Sequence, residues 1–315
     1  MGSIVGIIRL WRSFPPVCYT MSMPYTVDHE TRIYFETHGE GEPLLLVMGI
    51  NAQLIHWPPE LVDGLVEAGF HVIVFDNRDM GLSERFEGQK APGIPRLFRD
   101  RMLGKVSKTP YSLGDMAEDG FAVLDALGIE SAHVLGASMG GMIAQQMAIQ
   151  TPTRVRSLTS MMSHTGDRRH FVAKREAIQA LITNTPKNAE DAGQRVVDLM
   201  NVIGSKKHLR CEADLRLLGS TSYERCFNPE GFARQLAAIV ASGSRTAALA
   251  KLAIPTLVIH GAEDPLILRA GGEHTAKIIP GARLVIVEEM AHDLPIVFHQ
   301  LFVREISAIA GMSPA

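Results

Sequence analysis

The stretch Ser131-Ala-His-Val-Leu-Gly-Ala-Ser-Met-Gly-Gly141 packs a strand end, a sharp turn and a helix start into one short run. Val134 and Leu135 supply the apolar end of a buried strand, and Met139 to Gln150 is rich in helix formers and stops before Pro152. Between them lies Gly136-x-Ser138-x-Gly140, which puts Ser138 at the turn. A strand-to-helix turn this tight strains its central residue and crowds the neighbours, and Gly136, Gly140 and Gly141 bring no side chain into that crowd. The serine hydroxyl is then pushed up into a cleft. The pentapeptide alone is a weak signal, so its meaning depends on what flanks it.

Working outward, the chain alternates strands and helices. Tyr25 to Val27 and Arg32 to Thr37 read as two short antiparallel strands. Leu44 to Met48 and His71 to Phe75 are unbroken apolar runs of the kind buried on both faces. Glu60 to Ala68 is a predicted helix between them, and Glu84 to Pro110 reads as a basic loop broken by prolines. Ser112-x-x-Asp115 has the form of a capping box and opens a helix that Gly128 stops. After Ser138 and its helix, Val155 to Met162 is the sixth strand.

There the alternation breaks. Residues 166–244 hold no strand candidate, while Phe171 to Ile182, Ala189 to Ile203 and Pro229 to Val240 have amphipathic helical spacing with charged loops between them. This is the pattern of a helical cap inserted after the sixth strand. Alternation resumes with the strand Thr256 to His260, a helix near Gly272 to Ile279, the strand Arg283 to Glu288 and a last helix to about Ile309. The division is therefore an extension at 1–23, an α/β core at 24–165 and 245–315, and a cap at 166–244. Strands interleaved with helices give a mostly parallel sheet covered on both faces, with its site beyond the carboxyl ends of the strands.

Bulk properties fit that division. The chain has 315 residues, 46% hydrophobic and 21% charged, enough for one large α/β domain with an insertion. A net charge of −3 offers no basic face for nucleic acid. Cys18, Cys211 and Cys226 are too few and too scattered for a disulfide framework or a zinc site, and fit a reducing, cytoplasmic setting. Residues 4–10 form an apolar patch interrupted by Arg9, a poor secretory signal and far shorter than the ~20 residues of a membrane span. Gly2 would suit myristoylation, but position 6 is Gly where Ser or Thr is expected. Two readings of this extension stand: a loosely attached segment ahead of Met21 and Met23, or a weak anchor that brings the protein to a membrane surface.

Two more groups complete a chemistry for Ser138. Asp264, in Gly261-Ala-Glu-Asp-Pro265, follows the strand ending at His260, and His292, in Ala291-His-Asp293, follows the strand Arg283 to Glu288. A serine hydroxyl needs a base to accept its proton, and an imidazole bonded to a carboxylate is held in the tautomer that does so. Ser138, Asp264 and His292 stand at three strand ends in the order nucleophile, acid, base. Asp167 is a second position for the acid, and Glu263 and Asp293 flank the chosen pair.

On these residues the chain resembles the α/β-hydrolase-fold serine esterases, and within them the group that includes aclacinomycin methyl esterase. The resemblance spans about residues 24–310. It is carried by Met48-Gly49 with Trp57-Pro58, by Phe75-Asp-Asn-Arg-Asp-Met-Gly-Leu-Ser83, by the elbow Gly136 to Gly141, by Pro255 to Leu266 and by Met290-Ala-His-Asp-Leu-Pro295. Many members have His-Gly where this chain has Met48-Gly49, and Gly-His where it has Ala291-His292. The resemblance implies a Ser138–His292–Asp264 triad and an oxyanion hole made by the backbone N–H groups of Ile50 and Met139. It implies no metal or organic cofactor and a small-molecule ester as substrate. The same scaffold also serves lipases, thioesterases, carbon–carbon bond hydrolases, cofactor-free haloperoxidases and non-catalytic binding proteins. Arg78 and Asp79 read as an ion pair holding a loop beside the site, and Met200, Leu215, Leu217, Leu218 and Phe227 as the interior of the cap.

Overall fold

A computed structural model describes residues 24–26, 29–170, 172–182, 185–208 and 210–312. The chain opens with strands β1 (Phe35–His38) and β2 (Glu42–Val47), helix α1 (Pro59–Glu67) and strand β3 (Phe70–Phe75). Helices α2 (Ile94–Met102) and α3 (Leu113–Ala126) lead to β4 (Ala132–Ala137), α4 (Met139–Gln150) and β5 (Val155–Met161). Four helices follow: α5 (Arg175–Ile182), α6 (Ala189–Ile203), α7 (Glu212–Arg225) and α8 (Pro229–Ala241). The short α9 (Thr246–Leu249) returns the chain to β6 (Thr256–Gly261), α10 (Arg269–Ile278), β7 (Arg283–Val287) and α11 (His299–Ile309).

The seven strands form one sheet in the order β1-β3-β2-β4-β5-β6-β7, with β1 antiparallel to β3 and every other pairing parallel. Alternate residues of each strand face opposite sides. Leu44, Leu46, Val72, Val74 and Leu135 pack against Leu61, Leu65, Phe302 and Ile306 of α1 and α11. Leu45, Val47, Ile73, Phe75 and Val134 pack against Met116, Phe121, Ile143 and Met147 of α3 and α4. Both faces are dry, which is why these strands read as continuous apolar runs. Burying a side chain such as Phe302 contributes roughly 1.5–3 kcal/mol.

Local signals are realised where the chain has no competing choice. The Ser112 hydroxyl accepts from the N–H groups of Gly114 and Asp115 while the Asp115 carboxylate accepts from the Ser112 N–H, so the box that opens α3 is closed in both directions. Three expectations change. Tyr25 makes only an isolated bridge to Tyr34, and Val27 lies outside the described residues, so the helical insertion follows the fifth strand of the sheet instead of a sixth. Glu84 to Pro110 contains helix α2, because Pro95 sits in its first turn, where a missing N–H costs nothing. The cap holds one further helix, α7, in a stretch read as charged loop. No helix among the described residues is long and apolar enough to cross a membrane. The proposed membrane anchor and Cys18 fall on residues outside those described; Cys211 and Cys226 are free thiols.

Candidate active site

Ser138 lies between the last residue of β4 and the first of α4, at φ 56° and ψ −119°. A positive φ is costly for a residue with a Cβ, and persists only where the surroundings impose it. The Ser138 N–H donates to Met161 O of the adjacent strand at 2.9 Å, which pins the turn to the sheet. A Cβ on Gly136 would lie 2.1 Å from Gly140 O, and one on Gly140 would lie 1.9 Å from Val47 O. The elbow glycines are thus required by the close approach of α4 to β4 and β2.

Two loops from distant parts of the chain converge on the hydroxyl. His292 Nε2 is 3.0 Å from Ser138 Oγ, and His292 Nδ1 is 2.7 Å from Asp264 Oδ2. With Nδ1–H donating to the carboxylate, Nε2 is left to accept the serine proton. The other carboxylate oxygen, Asp264 Oδ1, accepts from the N–H groups of Leu266 and Ile267 at 2.9 and 2.8 Å. Asp264 and His292 are both buried. His260, at the end of β6, keeps its Nε2 on Ile267 O at 2.8 Å, and burial pushes its pKa down, so it stays neutral behind the acid.

The other acidic candidates have different partners. Asp167 pairs with Arg169 at 2.9 Å, an ion pair that holds its carboxyl well below the usual range. The Glu263 side chain is exposed. Asp293 accepts from the Ser205 hydroxyl and, at 3.1 Å, from the Ser205 N–H. Ser205 was invisible to sequence reasoning because it sits in the link between α6 and α7, yet its Oγ also accepts from the Ala291 N–H at 2.8 Å, while Ile203 O accepts from the His292 N–H at 2.9 Å. The cap therefore holds the histidine loop by its backbone.

Arg78 and Asp79 do not pair with each other. Arg78 makes two bonds to Asp119 of α3, at 2.6 and 2.7 Å, and Asp79 makes two to Arg234 of α8, both 2.8 Å. Adjacent side chains along the loop point opposite ways, so one ties the loop to the core and the other ties it to the cap. Burial resists ionisation of Asp79, but Arg234 and Tyr111 together hold its pKa below the ordinary value. A third link runs from Asp76 to Arg225 of α7, at 2.6 Å.

Above Ser138 and His292 lies a cavity of about 330 Å³. It is lined by Met48, Gly49 and Ile50 on the core side and by residues of α5, α6, α7 and α8. Met200, Leu215, Leu218 and Phe227 line it, so four of the five residues assigned to the cap interior face the cavity; Leu217 turns outward. On α7 the lining residues Leu215, Leu218, Gly219, Ser222 and Tyr223 recur at helical spacing, and Cys226 follows at its end.

Residues 42–298 match the profile of the alpha/beta hydrolase fold family. The chain belongs to that family. It is similar to rhodomycin D methylesterase DauP of Streptomyces sp. (strain C5), 30% identical over 317 aligned positions that cover 91% of this chain and 98% of that protein. It is also similar to a 2-hydroxy-6-oxononadienedioate/2-hydroxy-6-oxononatrienedioate hydrolase of Cupriavidus pinatubonensis (strain JMP 134 / LMG 1197), 27% identical with 84% of this chain and 86% of that protein aligned. Among solved structures, a meta-cleavage product hydrolase from Pseudomonas fluorescens IP01 superposes with a TM-score of 0.73 at 21% identity, over 91% of this chain and 97% of that one. At that identity the likeness concerns the fold.

Proposed function

We propose that this member of the alpha/beta hydrolase fold family is a carboxylic ester hydrolase working through an acyl-enzyme on Ser138. The observation that carries the reading is the line of contacts from Asp264 through His292 to Ser138, 2.7 and 3.0 Å long, at the carboxyl ends of the strands. His292 Nε2 takes the hydroxyl proton as Ser138 Oγ bonds to the ester carbon. The protonated imidazole, stabilised by Asp264, gives that proton to the departing alkoxide. Water then enters, loses a proton to His292 and releases the acid. The negative oxygen formed in each half-reaction is received by the N–H groups of Ile50 and Met139. Met139 opens α4, so its N–H is among the first-turn donors that have no acceptor within the helix.

The apolar lining and the modest cavity support a small to medium hydrophobic ester. The methylesterase relatives support a small alcohol as the group that leaves. The test is hydrolysis of p-nitrophenyl esters from acetate to palmitate by wild type and Ser138→Ala, with fluorophosphonate labelling. Turnover that peaks at short or medium chains and falls on the order of a millionfold in the mutant supports the reading. A long-chain optimum would favour a lipase. A wild type that is neither labelled nor active on any ester would overturn it and turn attention to carbon–carbon bond hydrolysis.

A further inference from the structure

The loop that carries Ile50 is held by side chains from two sides. Gly49 lies close beside the nucleophile: a Cβ there would lie 3.3 Å from Ser138 Cβ, a tight contact. A glycine beside the nucleophile leaves the next peptide, whose N–H belongs to Ile50, free to rotate over a wide range of φ and ψ. An N–H that is to receive a developing charge has to point at one place before the charge appears. A glycine at this position makes outside anchors for the Gly49–Ile50 peptide worth seeking.

Two side chains provide such anchors. On the core side, Asn77 Nδ2 donates to Met48 O at 2.9 Å and so fixes the peptide before Gly49. On the cap side, Gln235 Oε1 accepts from the Asn51 N–H at 2.9 Å and fixes the peptide after Ile50, while Gln235 Nε2 donates to Arg78 O at 3.0 Å. Asn51 itself sits at φ 57°, in the left-handed region, so its peptide has reason to relax when released. Asn77 and Gln235 are both fully buried. Gln235 is in turn held by its helix, whose neighbouring Arg234 is bonded twice to Asp79. The donor peptide is bracketed by two anchored peptides, one anchored by the core and one by the cap.

We propose that Asn77 and Gln235 are positioning residues that together aim the Ile50 N–H at the oxyanion, so that the oxyanion hole is complete only while α8 of the cap is docked. This inference rests on the ester-hydrolase reading. Neither side chain lines the cavity, so neither is assigned contact with substrate. Their effect belongs to the transition state alone, which gives it a kinetic signature.

The experiment compares wild type, Gln235→Met and Asn77→Leu on a short p-nitrophenyl ester, and measures inhibition by an aryl trifluoromethyl ketone, whose serine adduct carries an oxyanion. Each variant is expected to lower kcat on the order of ten- to a hundredfold with KM within about threefold. The inhibition constant of the ketone should rise by the same factor as kcat falls. A variant that merely loosens the fold would lower the active fraction, leaving the ketone's inhibition constant unchanged. Should Gln235→Met not fold, Gln235→Asn, one methylene short of the Asn51 N–H, is read in its place. Values of kcat within threefold of wild type, or a fall in kcat without a matching change for the ketone, would overturn the proposal. If Ser138→Ala abolishes turnover and these variants do not alter it, only this inference fails; if Ser138→Ala turns over normally, the ester-hydrolase reading fails first.

Discussion

Within the sheet, the fully buried side chains of β2 are Leu44, Leu45, Leu46 and Val47; where α7 and α8 meet the loop after β3, the fully buried polar side chains include Arg234, Gln235, Asp76, Asn77 and Asp79. The first group is held by packing, which is non-directional and forgiving of the angle at which aliphatic surfaces meet. The second is held by hydrogen bonds that work only at one distance and orientation. A buried ion pair adds little net stability over an apolar replacement, because both charges lose their water. What it supplies here is direction. The core is stable by burial; to the burial of Ala238 and Ile239 in the core, and of Ala237 and Val240 against Leu97, the cap adds the directed contacts Asp76–Arg225, Asp79–Arg234 and Ser205–Asp293. Substitutions in the two regions should therefore fail in different ways.

The largest effect is expected in the core. Gly140→Ala would put a Cβ 1.9 Å from Val47 O and 2.8 Å from Met48 O, backbone atoms at the end of β2 with nowhere to move. A loss above about 4 kcal/mol is expected, enough to leave little folded protein, and urea unfolding followed by circular dichroism checks it. A Gly140→Ala protein with wild-type stability would show that the elbow is looser than its geometry implies. On the cap side, Arg234→Met removes a charge whose partner, Asp79, remains buried with Tyr111 and the Phe86 N–H. The expected cost is about 3–5 kcal/mol, less if Asp79 takes up a proton. That variant should also lose activity at temperatures where it is still folded, because α8 carries Gln235. Equal midpoints for thermal unfolding and for loss of turnover would break the distinction drawn between the two regions.

The same difference explains what could be read in the sequence. β2 and β3 were legible from the apolar runs Leu44–Val47 and Val72–Phe75 of strands dry on both faces, and the elbow from the glycines around Ser138. The capping box at Ser112 and the order Ser138, Asp264, His292 were legible for similar local reasons, and those three residues do meet in space. Helix α7 was not, because its cavity-facing stripe includes Gly219 and Ser222, which do not read as apolar. The partners of Arg78 and Asp79 were not either, since Asp119 and Arg234 lie 41 and 155 residues away and nothing in the spacing encodes them. Polar contacts between cap and core depend on tertiary placement, so a periodic pattern carries no trace of them.

Where the insertion leaves the sheet, acid should test the junction. His164 is buried after β5, accepts the Gly166 N–H on Nδ1 at 2.8 Å, and has its pKa lowered to about 3 by burial, with Arg245 and Arg101 adding to the effect. Unfolded, it binds a proton near its ordinary value of 6.5. Between those two values the unfolded chain holds the extra proton, so stability rises with pH and is lost as pH falls from 6.5 toward 3, by up to about 1.4 kcal/mol per pH unit from this group. His164→Asn keeps an acceptor for Gly166 and should flatten the dependence of unfolding free energy on pH by up to one proton. An unchanged slope would show that His164 is protonated in the folded state.

The smallest change sharpens the comparison most, because it touches the cap and the histidine loop through a single oxygen. Ser205 Oγ bonds to Asp293 and accepts from the Ala291 N–H, and the residue is fully buried. In Ser205→Ala, Asp293 keeps the Ser205 N–H while the Ala291 N–H loses its acceptor, at a cost of about 1–2 kcal/mol. His292 is the next residue, and if it acts as the proposed base its small misplacement is amplified in rate, so kcat should fall about tenfold while the Tm moves by only a few degrees. Steady-state kinetics beside a thermal melt separates the two quantities. A fall in Tm with kcat untouched would mean that this contact fastens the cap without steering the base, leaving the backbone bond from His292 N–H to Ile203 O as the element that sets the position of the imidazole.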